Sequence, residues 1–374
     1  KNQTAYTYIR EVNFQDSISK SDIIKGEYQN NKIFIDTSKT KDIYKAVLGN
    51  YIISSSEDIV LENIIRDHDL TNPKIDSDFL KIIKGADTND PFNIFINSKN
   101  LNLLENTTSS LSFFTNLKNS WISYDFKYSL EEIKMVGATR INDSINSKLS
   151  ILRNISPSEV KTDKIIPNSF SSFFSFTISD SERFIFNFKN YLKADDLSTE
   201  NINFESFNLI DEISFVEDQE KFLILGISNM EQLENYFKLN DIDNLKDIKK
   251  INLGLDIKTL INNFDQKTSF VYAALIDNSL VITQSVSQIK KIINSKAIKD
   301  NLSSNSKYLN YKNQKSTKHS FFWVNNNSDT MDSNDYPFIG FSGVINENIA
   351  LLDFDYSKLN QSKETNDIFT EFFL

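Results

Sequence analysis

The chain has 374 residues, 39% hydrophobic and 25% charged, a balance that suits a globular protein rather than a disordered one. Its formal net charge of -10 argues against a nucleic-acid binder, which would carry a basic face. The absence of cysteine excludes disulfides, thiolate metal sites and cysteine nucleophiles.

In chain order, residues 43–47 and 51–53 are β-rich runs flanking Gly49-Asn50, and the pattern predicts a β-hairpin because this pair tolerates positive φ. Ser54 with Glu57 fits a capping box for a helix carrying Val60, Ile64 and Ile65 at helical spacing. A polar connection leads to a strand at 92–96, and residues 121–128 and 133–138 read as a hairpin turning near Ser129-Leu130-Glu131. Residues 149–162 are polar, contain Pro157 and read as a junction between two halves.

The second half opens near Pro167 with strands expected at 173–178, 184–188 and 223–227. Ser228 with Glu231 offers a capping box for a helix through Phe237. The lysines at 246–250, interleaved with Asp241, Asp243 and Asp247, read as a solvated helix face rather than a phosphate site. Residues 271–276 and 280–282 flank Asp277-Asn278 as a hairpin. Ser285-Val286-Ser287-Gln288 then caps a helix with Ile289, Ile292 and Ile293. A strand at 321–324 follows, and then a hairpin at 338–345 and 349–356 that turns near Asn346-Glu347-Asn348.

These elements repeat. A constant offset places Ile52 on Val281, Ile53 on Ile282, Ser56 on Ser285, Val60 on Ile289 and Ile64 on Ile293. The same offset carries Phe79-Leu80 onto Tyr308-Leu309, Phe92 onto Phe321 and Asn97 onto Asn326, without a gap. The expected fold class is therefore α+β with two similar halves, 1–155 and 156–374, each an antiparallel sheet with packed helices. The stretch from Pro167 to the second hairpin is longer than the stretch before residue 43. A faithful duplication is therefore expected to begin upstream of Lys1, with the opening strands of the first half.

Chemistry-bearing motifs are scarce. The two histidines, His68 and His319, fall in polar connections without metal-ligand spacing, and both are expected at the surface. Neither a G-x-S-x-G elbow nor a phosphate-binding glycine motif occurs, and eight glycines in all argue against a nucleotide cradle. The acidic clusters at 87–90, 195–196, 241–243 and 329–335 lack the glycine and distal glutamate of a calcium loop. Trp121 and Trp323 are expected to pack in strands. No catalytic, cofactor-binding or metal-ligating residue is assigned, and neither a cofactor nor an enzymatic activity is expected.

Two features carry a resemblance. One is the hairpin whose second strand ends in a serine-rich turn before an isoleucine-rich helix, at 280–293; the other is the strand region opened by Pro167. Together with the Lys/Asn/Ile-rich composition, they resemble a family of duplicated α+β envelope lipoproteins of Bacteroidota. The resemblance implies export to the periplasm or outer membrane, with a lipid anchor upstream of Lys1 as the sole membrane association. It points to a non-enzymatic scaffold or interaction protein, a lipid-anchored subunit of an outer-membrane assembly with protein partners in the envelope and no nucleic acid. The alternative is a carbohydrate-binding or carbohydrate-processing envelope protein, which an aromatic platform beside two acids would favour.

Overall fold

The computed structural model describes residues 7–11, 18, 22–37, 42–68, 76–86, 92–97, 121–128, 132–141, 147–194, 197, 199–243, 245–264, 270–326 and 338–357. The chain is α+β and divides into two compact units, Lys1–Asp76 and Ser77–Leu374.

The first unit holds β1 (Thr7–Glu11), β2 (Ile23–Tyr28), β3 (Asn31–Asp36), β4 (Ile43–Leu48) and β5 (Tyr51–Ser55) in one antiparallel sheet of order β1-β5-β4-β3-β2. Gly49 takes φ +58° at the β4–β5 turn, the left-handed conformation that glycine reaches without strain. Helix α1 (Asp58–His68) follows, with Ser55 Oγ rather than Ser54 accepting from Glu57 N at 3.3 Å. Leu61 and Ile65, one helical turn apart, bury against Ala46, Leu48 and Ile53 of the hairpin.

The second unit begins with α2 (Ser77–Ile83), β6 (Phe92–Asn97), β7 (Trp121–Tyr128) and β8 (Glu132–Arg140). It continues through β9 (Ser172–Thr177), α3 (Ser181–Ala194), β10 (Ile210–Glu217), β11 (Lys221–Ile227), α4 (Leu233–Tyr236), β12 (Lys238–Ile242) and β13 (Leu245–Asn252). Helix α5 (Leu255–Phe264), β14 (Tyr272–Ile276), β15 (Ser279–Thr283), α6 (Val286–Ala297) and α7 (Ser306–Asn313) come next, and then β16 (Phe321–Asn326), β17 (Phe338–Ile345) and β18 (Ile349–Ser357). All its strands join one thirteen-stranded antiparallel sheet of order β12-β13-β14-β15-β11-β10-β9-β16-β17-β18-β8-β7-β6.

Alternate residues of a strand point to opposite faces, and in the middle of this sheet both sets are apolar. Phe174, Phe176, Ile213, Leu223 and Leu280 pack with α3 and α5 in one core. Phe173, Val216, Phe222, Ile224 and Val281 pack with α6 and α7 in another. Covering both faces explains why these strands read as nearly continuous hydrophobic runs.

The structure corrects four further local expectations. Residues 184–188 belong to α3, not to a strand. Phe184, Phe186 and Phe188 mimic strand alternation, but Phe186 is 57% exposed while Phe184, Phe188 and Leu192 are buried at helical spacing. Asp180 Oδ1 accepts from Arg183 N at 2.9 Å and starts that helix. Residues 246–250 lie in strand β13, where Lys249 sits opposite Asp241 on β12 with Nζ 3.1 Å from Oδ1. The helix start near 230 is capped by Asn229, whose side chain accepts from Glu231 N, while Ser228 Oγ instead donates to Leu209 O. The expected polar junction at 149–162 contributes Leu149, Ile151, Leu152, Ile155 and Val160 to the cores.

The two parts of the chain share an order. β1-β5-β4-β3-β2 corresponds, strand for strand and in chain order, to β11-β15-β14-β13-β12. Each hairpin is followed by two helices, then by three strands paired in sequence, β6-β7-β8 and β16-β17-β18. They also differ. β15 connects to β16 through β11, β10 and β9 within one sheet, whereas β5 and β6 belong to different sheets.

Candidate functional site

Strand β10 reads Ile-Asp-Glu-Ile-Ser-Phe-Val-Glu. Its alternation sends Ile213 and Phe215 to the first core and leaves Glu212, Ser214 and Val216 on the second face. A carboxylate on a buried face is costly unless donors reach it. The segment before β9 and β9 itself supply them. Lys161 N donates to Glu212 Oε2 at 2.8 Å, Thr162 Oγ1 to Oε1 at 2.6 Å, and Ser175 Oγ to Oε1 at 2.7 Å. Burial pushes the Glu212 carboxyl above its ordinary value, and the hydrogen bonds from Thr162, Lys161 and Ser175 partly oppose that.

Asp163 extends this polar centre. Its Oδ2 accepts from Tyr308 Oη at 3.0 Å and from Lys312 Nζ at 2.5 Å, both on α7. Burial, reinforced by the neighbouring Asp163, holds the Tyr308 phenol well above its usual value. His319, expected at the surface, is buried with its ring 5.0 Å from that of Phe322. Burial, and then the charge of Lys315, lowers its pKa to about 4, so the ring is neutral near pH 7. Its backbone pairs with Ser158 in an isolated bridge, which draws the polar connection into the interior.

A cleft of about 510 Å³ opens here, with Lys161, Lys164, Asp211, Glu212 and Asp277 among its lining residues. Donors of the protein occupy both oxygens of Glu212, so the carboxylate acts as a latch that pins 161–162 to the sheet.

A second cleft, of about 440 Å³, lies where α5 begins. Asp256, the second residue of α5, is buried there and accepts from Ser206 Oγ through Oδ2 and from Ile257 N at 2.8 Å through Oδ1. Burial raises its carboxyl above the ordinary value. Asn201, Asn203, Asn235, Glu205 and the half-buried Tyr236 line the same cleft.

Of the remaining residues singled out in the sequence, His68 is exposed at the end of α1. Trp121 packs on β7 with its ring 4.6 Å from that of Phe79, and Trp323 is buried on β16. Asp241 and its neighbours lie on β12 and its turn, while 87–90, 195–196 and 329–335 fall outside the described residues. Among the described residues no group of three or more histidine or carboxylate side chains is placed to hold a metal ion, and no helix is long and apolar enough to cross a membrane.

Sequence reading passed over Glu212, Asp163 and Asp256, all buried. Glu212 did carry a signal, since a carboxylate inside an otherwise buried strand needs partners somewhere. Asp256 carried none beyond being acidic in the first turn of a helix, where the helix dipole alone explains it.

Comparison with protein-family models, with curated proteins and with solved structures gives no match.

Proposed function

We propose that the chain is a non-enzymatic scaffold or interaction protein of the cell envelope, built from two copies of one α+β module. The observation that carries the scaffold reading is the engagement of the buried acids. Glu212 and Asp256 accept from protein donors and Asp163 is paired with Lys312, so these groups hold segments together. Matched strand order along both halves supports the duplication. One departure is that no counterpart of α5 stands between β3 and β4 among the described residues. The envelope placement rests on the resemblance at 280–293.

In vivo cross-linking at native expression, with mass spectrometry of envelope and soluble fractions, tests this reading. The expected result is cross-links in fixed stoichiometry to one or a few envelope proteins. A chain recovered from the cytoplasm would sink the envelope placement, and a chain without any protein partner would sink the scaffold.

A second reading, carbohydrate binding, is favoured by the cleft over Asp256, where Tyr236 stands beside Glu205 and Asp256. The exposed carboxamides of Asn201 and Asn235 offer donors and acceptors that suit sugar hydroxyls. Under this reading, laminarin, xylan or dextran cast in a native gel retards the protein, and Asn235→Ala restores its mobility. Unchanged migration in all three polysaccharides rejects it.

A further inference from the structure

Strand β10 is irregular where the cleft beside Glu212 lies. Ile210 pairs with Ile227 and Glu212 with Gly226, so Asp211 is an extra residue that faces no partner on β11. A bulge of this kind re-aims a side chain that regular alternation would send to the other face. Its effect is visible at Gly226. A Cβ built there would collide with Asp211 Oδ1 and stand 3.1 Å from Glu212 Cβ. Two consecutive carboxylates therefore lie on one face of the sheet, and the missing side chain at 226 leaves the room that the Asp211 carboxyl occupies.

The two acids differ in what they do. Glu212 is engaged by Lys161 N, Thr162 Oγ1 and Ser175 Oγ. Among the described residues no donor lies within hydrogen-bond distance of the Asp211 carboxylate. The nearest cation, Lys161 Nζ, is 3.8 Å from Oδ2, and the Asp211 side chain is 39% exposed. The same cleft holds the converse group. Lys164 lines it, is exposed and has no acidic partner among the described residues. Its charge acts on Lys296 of α6, which pairs with Asp277, another lining residue. Burial, and then the charge of Lys164, lower the Lys296 ammonium below its ordinary value, so positive charge is in excess on this side of the cleft.

We propose that the cleft binds a small zwitterion of the amino-acid class, with its ammonium on the Asp211 carboxylate and its carboxylate on Lys164. A ligand ammonium supplies the donors that Asp211 lacks, and a ligand carboxylate supplies the counter-charge that Lys164 lacks. A volume of about 510 Å³ falls within the range of small-molecule sites and admits a free α-amino acid or a short peptide. A ligand bearing one charge alone leaves either Asp211 or Lys164 unmatched, so affinity requires both. The inference does not rest on the scaffold reading. The side chains of Asp211 and Lys164 take no part in the Glu212 latch, and cross-linking tests the scaffold separately.

The test uses the full chain, titrated with L-alanine and with trialanine while backbone amide resonances are followed. The expected result is saturable shifts at 161–165, 226–228 and 277–279 with at least one of the two. The one that saturates at the lower concentration identifies a free amino acid or a peptide as the source of the zwitterion. Acetate and methylammonium each carry one of the two charges, and should need at least about tenfold higher concentration for the same shifts. Asp211→Asn and Lys164→Met preserve side-chain size, and each should raise the half-saturating concentration about tenfold while leaving the urea midpoint near that of the wild type. The absence of saturable shifts with both zwitterions overturns the proposal. So do equal shifts from acetate or methylammonium alone, and so does wild-type half-saturation in either variant.

Discussion

Replacing Glu212 with alanine is expected to cost about 3–5 kcal/mol, because several buried donors lose their acceptor together. Lys161 N, Thr162 Oγ1 and Ser175 Oγ converge on this one carboxyl group. Glu212→Gln keeps the size but turns an N–H₂ group toward donors, so a smaller loss is expected, about 1–3 kcal/mol. The two variants also separate by pH. A carboxyl held above its unfolded value of 4.5 binds its proton more tightly in the folded chain. Its stabilising contribution is therefore fully present below pH 4.5 and is lost as pH rises through the folded value. Glutamine cannot titrate, so the gap between wild type and Glu212→Gln should be widest in acid and narrow toward neutral pH. Urea unfolding followed by tryptophan fluorescence measures this, since Trp121 and Trp323 both lie in the unit that contains Glu212. A gap that stays constant or widens as pH rises would contradict the assignment.

How far the sequence reaches depends on the range of the interaction. The hairpins at Gly49-Asn50 and Asp277-Asn278 are legible because their turns are encoded by adjacent residues, and Gly49 and Asp277 do take positive φ. The start of α6 is legible for the same reason, with Ser285 Oγ accepting from Gln288 N at 3.2 Å. Residues 184–188 misled because three phenylalanines at alternate positions satisfy a strand as well as they satisfy a helix that leaves Phe186 outside. Residues 246–250 misled because solvent-facing lysines suit either element, and the cross-strand Asp241 that selects the strand lies several positions upstream. The candidate clefts were illegible for a different reason. Glu212 and Thr162 are separated by 50 positions, as are Ser206 and Asp256, and no local pattern records such pairings. The 149–162 segment looked like a linker because its serines, lysines and acids are visible in sequence, while its contribution to both cores is not.

The pair formed by Asp163 and Lys312 should behave in the opposite way to a surface ion pair. The Asp163 side chain is 3% exposed and that of Lys312 20%, with 2.5 Å between Oδ2 and Nζ. Lys312 Nζ also donates to Val160 O at 2.9 Å, so the ammonium ties α7 to the segment that carries the Glu212 latch. Lys312→Met preserves most of the buried stem and removes the ammonium, with its charge and its hydrogen bond to Val160 O. It leaves the Asp163 carboxylate with Tyr308 Oη as a donor but without its counter-charge, and the expected loss is about 3–5 kcal/mol. An exposed pair would lose about 0–1 kcal/mol on the same substitution. The double variant Asp163→Asn, Lys312→Met removes both charges and keeps a side chain that accepts from Tyr308. Because much of the single-variant loss is the penalty of an uncompensated buried charge, the double variant should unfold at higher urea than Lys312→Met alone. Losses that simply add would show that the two groups act separately. A loss near zero in Lys312→Met would show that the pair contributes no more than a solvent-exposed one.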